Sequence, residues 1–98
     1  MSSMRQLMKQ AQEMQERLQR ELAETVVEAS VGGGMVSIKM TGHRQLVGVR
    51  IDPEVMDPSD PSVLEDLILA AVNEAGRKIE ETMQGKMGAM AQSMPGLF

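Results

Sequence analysis

The sequence contains no Cys, Trp or Tyr, and only one His and one Phe. Without Cys there is no disulfide scaffold, thiolate zinc site or thiol nucleophile. A lone imidazole cannot build a His-cluster metal site. Without Trp or Tyr there is no aromatic platform on which bases could stack. The apolar runs are short, and the longest, residues 67–72, is far below the roughly 20 residues of a membrane-spanning helix. Arg5 and Lys9 near the start are followed by no apolar stretch, so no secretory signal is expected and a cytoplasmic setting is the default. Basic residues are also outnumbered, 10 against 14 acidic, for a net charge of −4. That excludes a binder of polyanions acting through overall positive charge.

The 98 residues suit one domain over 1–98, because a second core would leave too little chain for either to fold. Eleven residues are Met, a side chain that fills gaps but specifies a core poorly. A chain this short buries only about 60–65% of its unfolded surface. Self-association is therefore expected to supply part of the core.

Residues 4–22 have the pattern of an amphipathic helix. Met4, Leu7, Ala11, Met14 and Leu18 recur at alternating spacings of three and four, joined by Met8 and Leu22. The stripe can pack on the chain's own sheet or on a second chain. From residue 25 the period switches to two. Val27, Ala29 and Val31 form one alternating set, Val36, Ile38 and Met40 a second, and Val47, Val49 and Ile51 a third. Gly32-Gly33-Gly34 and Gly42-His43 separate them as turn signals. A turn at Gly33-Gly34 pairs Val31 with Val36 and Glu28 with Lys39. A two-residue turn at Gly42-His43 pairs Ile38 with Val47 and Val36 with Val49, and lines Ser30, Ser37 and Gly48 across the other face.

Pro53, Pro58 and Pro61 mark a loop. Leu64, Leu67, Ile68, Ala71, Val72, Ala75, Ile79 and Met83 then recur at helical spacing. Asp60 or Ser59 is the expected cap and Pro61 opens the first turn. Past Gln84 the pattern weakens at Gly85 and Gly88, and a mobile Met-, Gly- and Pro-containing tail is expected from about residue 85. The reading is an α+β domain: a helix, a three-stranded antiparallel β-meander with both helices on one face, and a long C-terminal helix.

No catalytic constellation is apparent, and neither a cofactor, a metal nor a small-molecule substrate is expected. His43 lies in a turn. Asp57, Asp60, Glu65 and Asp66 lack the spacing of a calcium loop and suit a helix start. The glycine run joins two strands and is followed by no Lys-Ser/Thr helix start, so it is not a phosphate loop.

The charge is unevenly spread. Residues 1–12 hold Arg5 and Lys9 and no acid, whereas residues 52–66 hold six acids and no base. Glu13 with Arg17, Glu16 with Arg20, Glu74 with Lys78, and Arg77 with Glu81 stand at pairing distance along a helix. Arg5, Lys9 and Lys86 lack such support and are the foremost candidates for phosphate contact, with Arg17, Arg77 and Lys78 behind them. If the helices run antiparallel, Arg5 and Lys86 share one end of the molecule.

Several strings together resemble one family. Leu7-Met8-Lys9-Gln10-Ala11-Gln12-Glu13-Met14-Gln15 resembles the opening of the YbaB/EbfC nucleoid-associated family. Gly34-Met35-Val36-Ser37-Ile38, Gly42 and Val49-Arg50-Ile51-Asp52-Pro53 resemble its sheet signature. Residues 64–75 and Lys78-Ile79-Glu80-Glu81 resemble its long helix. Thr41 departs from the Asn that many members have before the glycine. The resemblance implies a bacterial, cytoplasmic, nucleoid-associated homodimer shaped like tweezers that binds double-stranded DNA through projecting helices, alters its conformation, and has no catalytic residues. The matching basic positions are Arg5, Lys9 and Lys86, then Arg17, Arg77 and Lys78. The residues themselves leave an alternative open, a non-enzymatic adaptor binding protein partners through the Met-rich stripe.

Overall fold

The computed structural model describes residues 2–93. Helix α1 (Ser2–Glu24) leads into strands β1 (Val26–Val31), β2 (Val36–Thr41) and β3 (Leu46–Ile51), then helix α2 (Pro61–Ser93). The strands form one antiparallel sheet in the order β1-β2-β3. The expected α+β order is present.

The core lies between α2 and the first two strands. Ala29, Val36, Ile38 and Met40 supply the sheet side, and Ala71, Ala75 and Ile79 the helix side. The small Ala71 and Ala75, both fully buried, let the helix axis approach the sheet closely. Leu64, Leu67, Ile68, Val72 and Met83 pack around this centre. Pro61 opens α2 where its missing N–H costs no helical bond, with the Ser62 hydroxyl donating to Asp60 Oδ1 at 2.5 Å.

The β1–β2 register follows the glycine run. Val31 pairs with Val36 and Glu28 with Lys39, as the patterning predicts. Gly32, Gly33 and Gly34 all have positive φ, between 63 and 93°, a region that side-chain-bearing residues seldom enter.

The β2–β3 register differs from the expectation by two residues. Ile38 pairs with Val49 and Val36 with Ile51, and a bulge follows at Lys39/Met40. The cause is the turn. The Gly42 N–H donates to Leu22 O (2.9 Å) and Thr25 O (3.0 Å), so it is engaged with the end of α1. The turn widens instead through Arg44, at φ 64°, and Thr41 N–H closes on Gln45 O at 2.9 Å. A shift of two preserves which residues face α2. It breaks up the expected row of small residues: Ser37 lies between Ser30 and Arg50, and Gly48 opposite Lys39.

Two further expectations need correction. Among the described elements only α2 covers the sheet, and residues 3–20 of α1 are exposed throughout. α1 carries too few apolar side chains outside one narrow stripe to compete with α2 for the sheet face. α2 also does not stop near Gln84 but continues through Gly85 and Gly88 to Ser93. Each glycine costs about 1 kcal/mol of helix propensity, which does not end a helix already nucleated on the core. Residues 94–98 of the expected tail lie outside the described residues.

The molecule is elongated, 69 × 21 × 15 Å. Its longest dimension exceeds the roughly 50 Å of α2 alone at 1.5 Å per residue.

Candidate nucleic-acid interface

α1 departs from the sheet end where β1 begins and β2 finishes. Its stem is held by Gly42 through Leu22 O and Thr25 O. Thr25 continues the helical bonding, with its N–H donating to Glu21 O at 2.9 Å and its hydroxyl to the same oxygen at 2.6 Å. Beyond this stem the arm touches nothing that buries it. Arg5 and Lys9 lie on its outer half, one turn apart on one face. Among the described residues neither forms an ion pair.

The acidic segment lies at the opposite end of the sheet. Asp52 N–H donates to Met35 O at 2.8 Å, beside the glycine turn. Its carboxylates organise their own loop. Asp52 Oδ1 accepts from Glu54 N–H at 2.8 Å. Asp57 Oδ1 accepts from the Ser59 hydroxyl at 2.7 Å and the Ser59 N–H at 2.9 Å. Those bonds hold the Asp57 carboxyl below its ordinary range. About 30 Å of α1 and the length of the strands, about 20 Å, therefore separate Arg5 from this negative region. That exceeds the roughly 8 Å Debye length at physiological salt.

The other candidate cations occupy different settings. Lys86 Nζ donates to Thr25 Oγ1 at 2.7 Å, at the stem of α1. Arg5 stands 20 residues away along that helix, about 30 Å, so the two do not share an end. Lys78 does not pair with Glu74, because its Nζ donates to Glu28 O at 2.9 Å, across on β1. Glu74 is taken by Arg77, with Nε–Oε2 3.1 Å and Nη2–Oε1 2.5 Å. Arg77 also pairs with Glu81. The Arg77 guanidinium holds the Glu74 carboxyl below its usual value, and its own is raised by the same partner. Arg77 and Lys78 are thus engaged on the body, whereas Arg17 lies on the exposed arm. Its expected pairing with Glu13 is not formed, and neither is that of Arg20 with Glu16.

Sequence reasoning set Arg20 aside as neutralised. It also passed over Gln12, Gln15 and Gln19, which with Glu16 and Arg20 line a shallow groove along α1. Glutamine side chains on an exposed helix can donate to phosphate and sugar oxygens. The available signal was the density of glutamine in a helix that lacks a wide apolar face.

Among the described residues no group of three or more His, Asp or Glu side chains could hold a metal ion. His43 is exposed in the β2–β3 turn. Among the described residues no helix is long and apolar enough to cross a membrane. The class these features define is a small α+β protein that presents a polar, cation-tipped helical arm from an acidic body. Residues 1–94 match the YbaB/EbfC DNA-binding family, and the chain belongs to that family. It is 44% identical to a nucleoid-associated protein of Chloroflexus aurantiacus over 97 residues, covering 96% of this chain and 97% of the relative. It is 51% identical over 104 residues to a nucleoid-associated protein of Acidobacterium capsulatum, covering 97% and 95%. The fold is shared with the crystal structure of an uncharacterised Helicobacter pylori protein. The TM-score is 0.76 and the identity 23%, over 92% of this chain and 95% of the other.

Proposed function

We propose that this chain is a nucleoid-associated protein that works as a homodimer, gripping duplex DNA between projecting α1 arms and altering its path in the cytoplasm. Arg5 and Lys9 make the principal phosphate contacts and Arg17 follows along the same arm. Lys86, Arg77 and Lys78 contribute less, because each already has a protein partner. One observation carries the reading. A chain of net charge −4 keeps Arg5 and Lys9 unpaired on an exposed helix, far from its acidic segment. Family membership and the nucleoid-associated relatives support it.

Binding of this kind is driven by counterion release, and it reads backbone shape more than bases. With about six phosphates engaged per dimer, the log–log salt slope is about −5. Fluorescence anisotropy on a generic duplex at 50 and 200 mM salt tests it. The expected result is salt-sensitive binding that Arg5→Glu with Lys9→Glu weakens at least tenfold while the fold persists. No binding at micromolar protein in low salt would reject DNA as the ligand.

A second reading is favoured by the same arm. Met4, Leu7 and Met8 are 62–66% exposed, an apolar stripe open to a protein partner. In the homodimer a second copy covers apolar surface of this kind, together with exposed Leu46, Val47 and Val49 of β3. In the adaptor reading a different protein does. Light scattering across a concentration series separates the two.

A further inference from the structure

We propose that Gly42 is a positioning residue for the DNA grip: it sets the direction in which α1 leaves the body, and so where Arg5 and Lys9 stand. The inference rests on the DNA-binding reading above, but its geometry is independent of it.

Gly42 is not required by its own backbone conformation. Among the described residues the glycines with positive φ are Gly32, Gly33 and Gly34, and Gly42 is not one of them. Its φ lies outside the left-handed region that favours glycine. The requirement is space. A Cβ at Gly42 would stand 2.6 Å from Leu22 O, 2.9 Å from Leu22 Cα and 3.1 Å from Leu22 C. All three are backbone atoms of the last turn of α1, so no side-chain rotation relieves the clash. The same closeness lets the Gly42 N–H reach two carbonyls of the stem, Leu22 O and Thr25 O.

The joint has a second component. Thr25 Oγ1 donates to Glu21 O and accepts from Lys86 Nζ at 2.7 Å. One hydroxyl thereby ties the end of α1 to α2. On the sheet side Thr41, 8% exposed, accepts from Arg44 N–H through its carbonyl at 2.9 Å and braces the turn that carries Gly42. Three elements meet within a few residues, and residues 3–20 beyond them are exposed.

A long arm on a small joint amplifies any error. Arg5 lies 17 residues beyond Leu22, about 26 Å of helix. A tilt of about 10° at the joint displaces it by about 4–5 Å, more than the 3.4 Å rise between successive phosphates of one strand. A methyl group at position 42 would move the cations out of register without removing a charge.

The absence of Cys makes the test clean. Cysteines introduced for Gln10 and Ser59 are the only labelling sites. Doubly spin-labelled chains diluted into unlabelled protein report distances within one protomer by pulsed electron resonance. Gln10 lies 12 residues beyond Leu22, about 18 Å of helix, so a tilt of about 10° in Gly42→Ala shifts the mean distance by up to about 3 Å, and DNA affinity falls about tenfold. In an Arg5→Glu, Lys9→Glu background the same alanine changes affinity no further. Gly48→Ala is the control, since its Cβ meets only the Lys39 side chain at 3.5 Å, and it leaves both readouts unchanged. Thr25→Val removes both hydroxyl bonds without adding a clash, and broadens the distance distribution; it serves if Gly42→Ala does not fold. An unchanged distribution in Gly42→Ala and Thr25→Val, or in whichever of the two folds, overturns the joint. A shifted distance with no DNA binding by the parent protein leaves the joint standing and removes the DNA reading instead.

Discussion

The two helices of this protein each carry an apolar stripe, narrow on α1 and broader on α2, and the stripes meet opposite fates. α2 buries Ala71, Ala75 and Ile79 against β1 and β2, whereas α1 leaves Met4, Leu7 and Met8 in solvent. The sheet is three strands wide, and α2 takes its first two. What remains, on β3, is narrow: Val49 is 55% exposed although it pairs with the buried Ile38. A helix becomes core when there is an apolar face to receive it, and here the apolar face of β1 and β2 was already covered. The uncovered helix retains the freedom to carry charge away from the body.

The largest expected contrast is in stability. Ile38→Ala, at a side chain 1% exposed, is expected to cost about 2–5 kcal/mol in urea denaturation. Leu7→Ala, 66% exposed, is expected to stay within about 0.5 kcal/mol in dilute protein. At higher concentration its cost should grow as a second copy covers the stripe. Equal costs at every concentration would mean that α1 packs on its own protomer.

Charge comes next. Arg5→Glu with Lys9→Glu should lower DNA affinity at least tenfold, about 1.4 kcal/mol. It should also flatten the salt slope by up to about 3–4 for four phosphates lost per dimer. Lys39→Glu with Arg50→Glu on the open sheet face should do much less. The reverse ranking would move the DNA from the arms to the sheet.

A smaller effect concerns the far end of α2. A Cβ at Gly85 or Gly88 would meet nothing within 4 Å. Alanine at both should raise helicity by circular dichroism, by up to about 1 kcal/mol of propensity at each. The unfolding midpoint should move less than helicity does, because this turn lies beyond the packed core.

The smallest effect is one of pH. The Glu74 carboxyl is lowered by the Arg77 guanidinium, so its stabilisation is present above the unfolded carboxyl value, about 4.3. It fades as pH falls through the lower folded value. Arg77 is exposed and Glu74 half-exposed, so the pair is screened by salt. Denaturation between pH 5 and 3 should show a slight loss that Glu74→Gln removes.

How far the residues alone reached depends on the range of the interactions involved. Val31 pairs with Val36 as predicted because three adjacent glycines close that turn locally. The β2–β3 register was missed because Gly42 answers to Leu22, a residue twenty positions away. The partners of Lys78 and Lys86 were not legible for the same reason: Glu28 and Thr25 are distant in sequence and near only in the fold. Arg5 and Lys9 were legible as unsupported cations because helix spacing is a short-range rule.

Alternation, helical periodicity and the scarcity of basic residues were sufficient to determine the element types, their order and the segregation of acid from base. The tertiary structure alone decided that α2 and not α1 covers the sheet, and at which joint the arm departs. Periodicity specifies which side of a helix seeks burial. Only the finished packing, with its limited sheet area and the close backbone approach at Gly42, determines whether that side finds it.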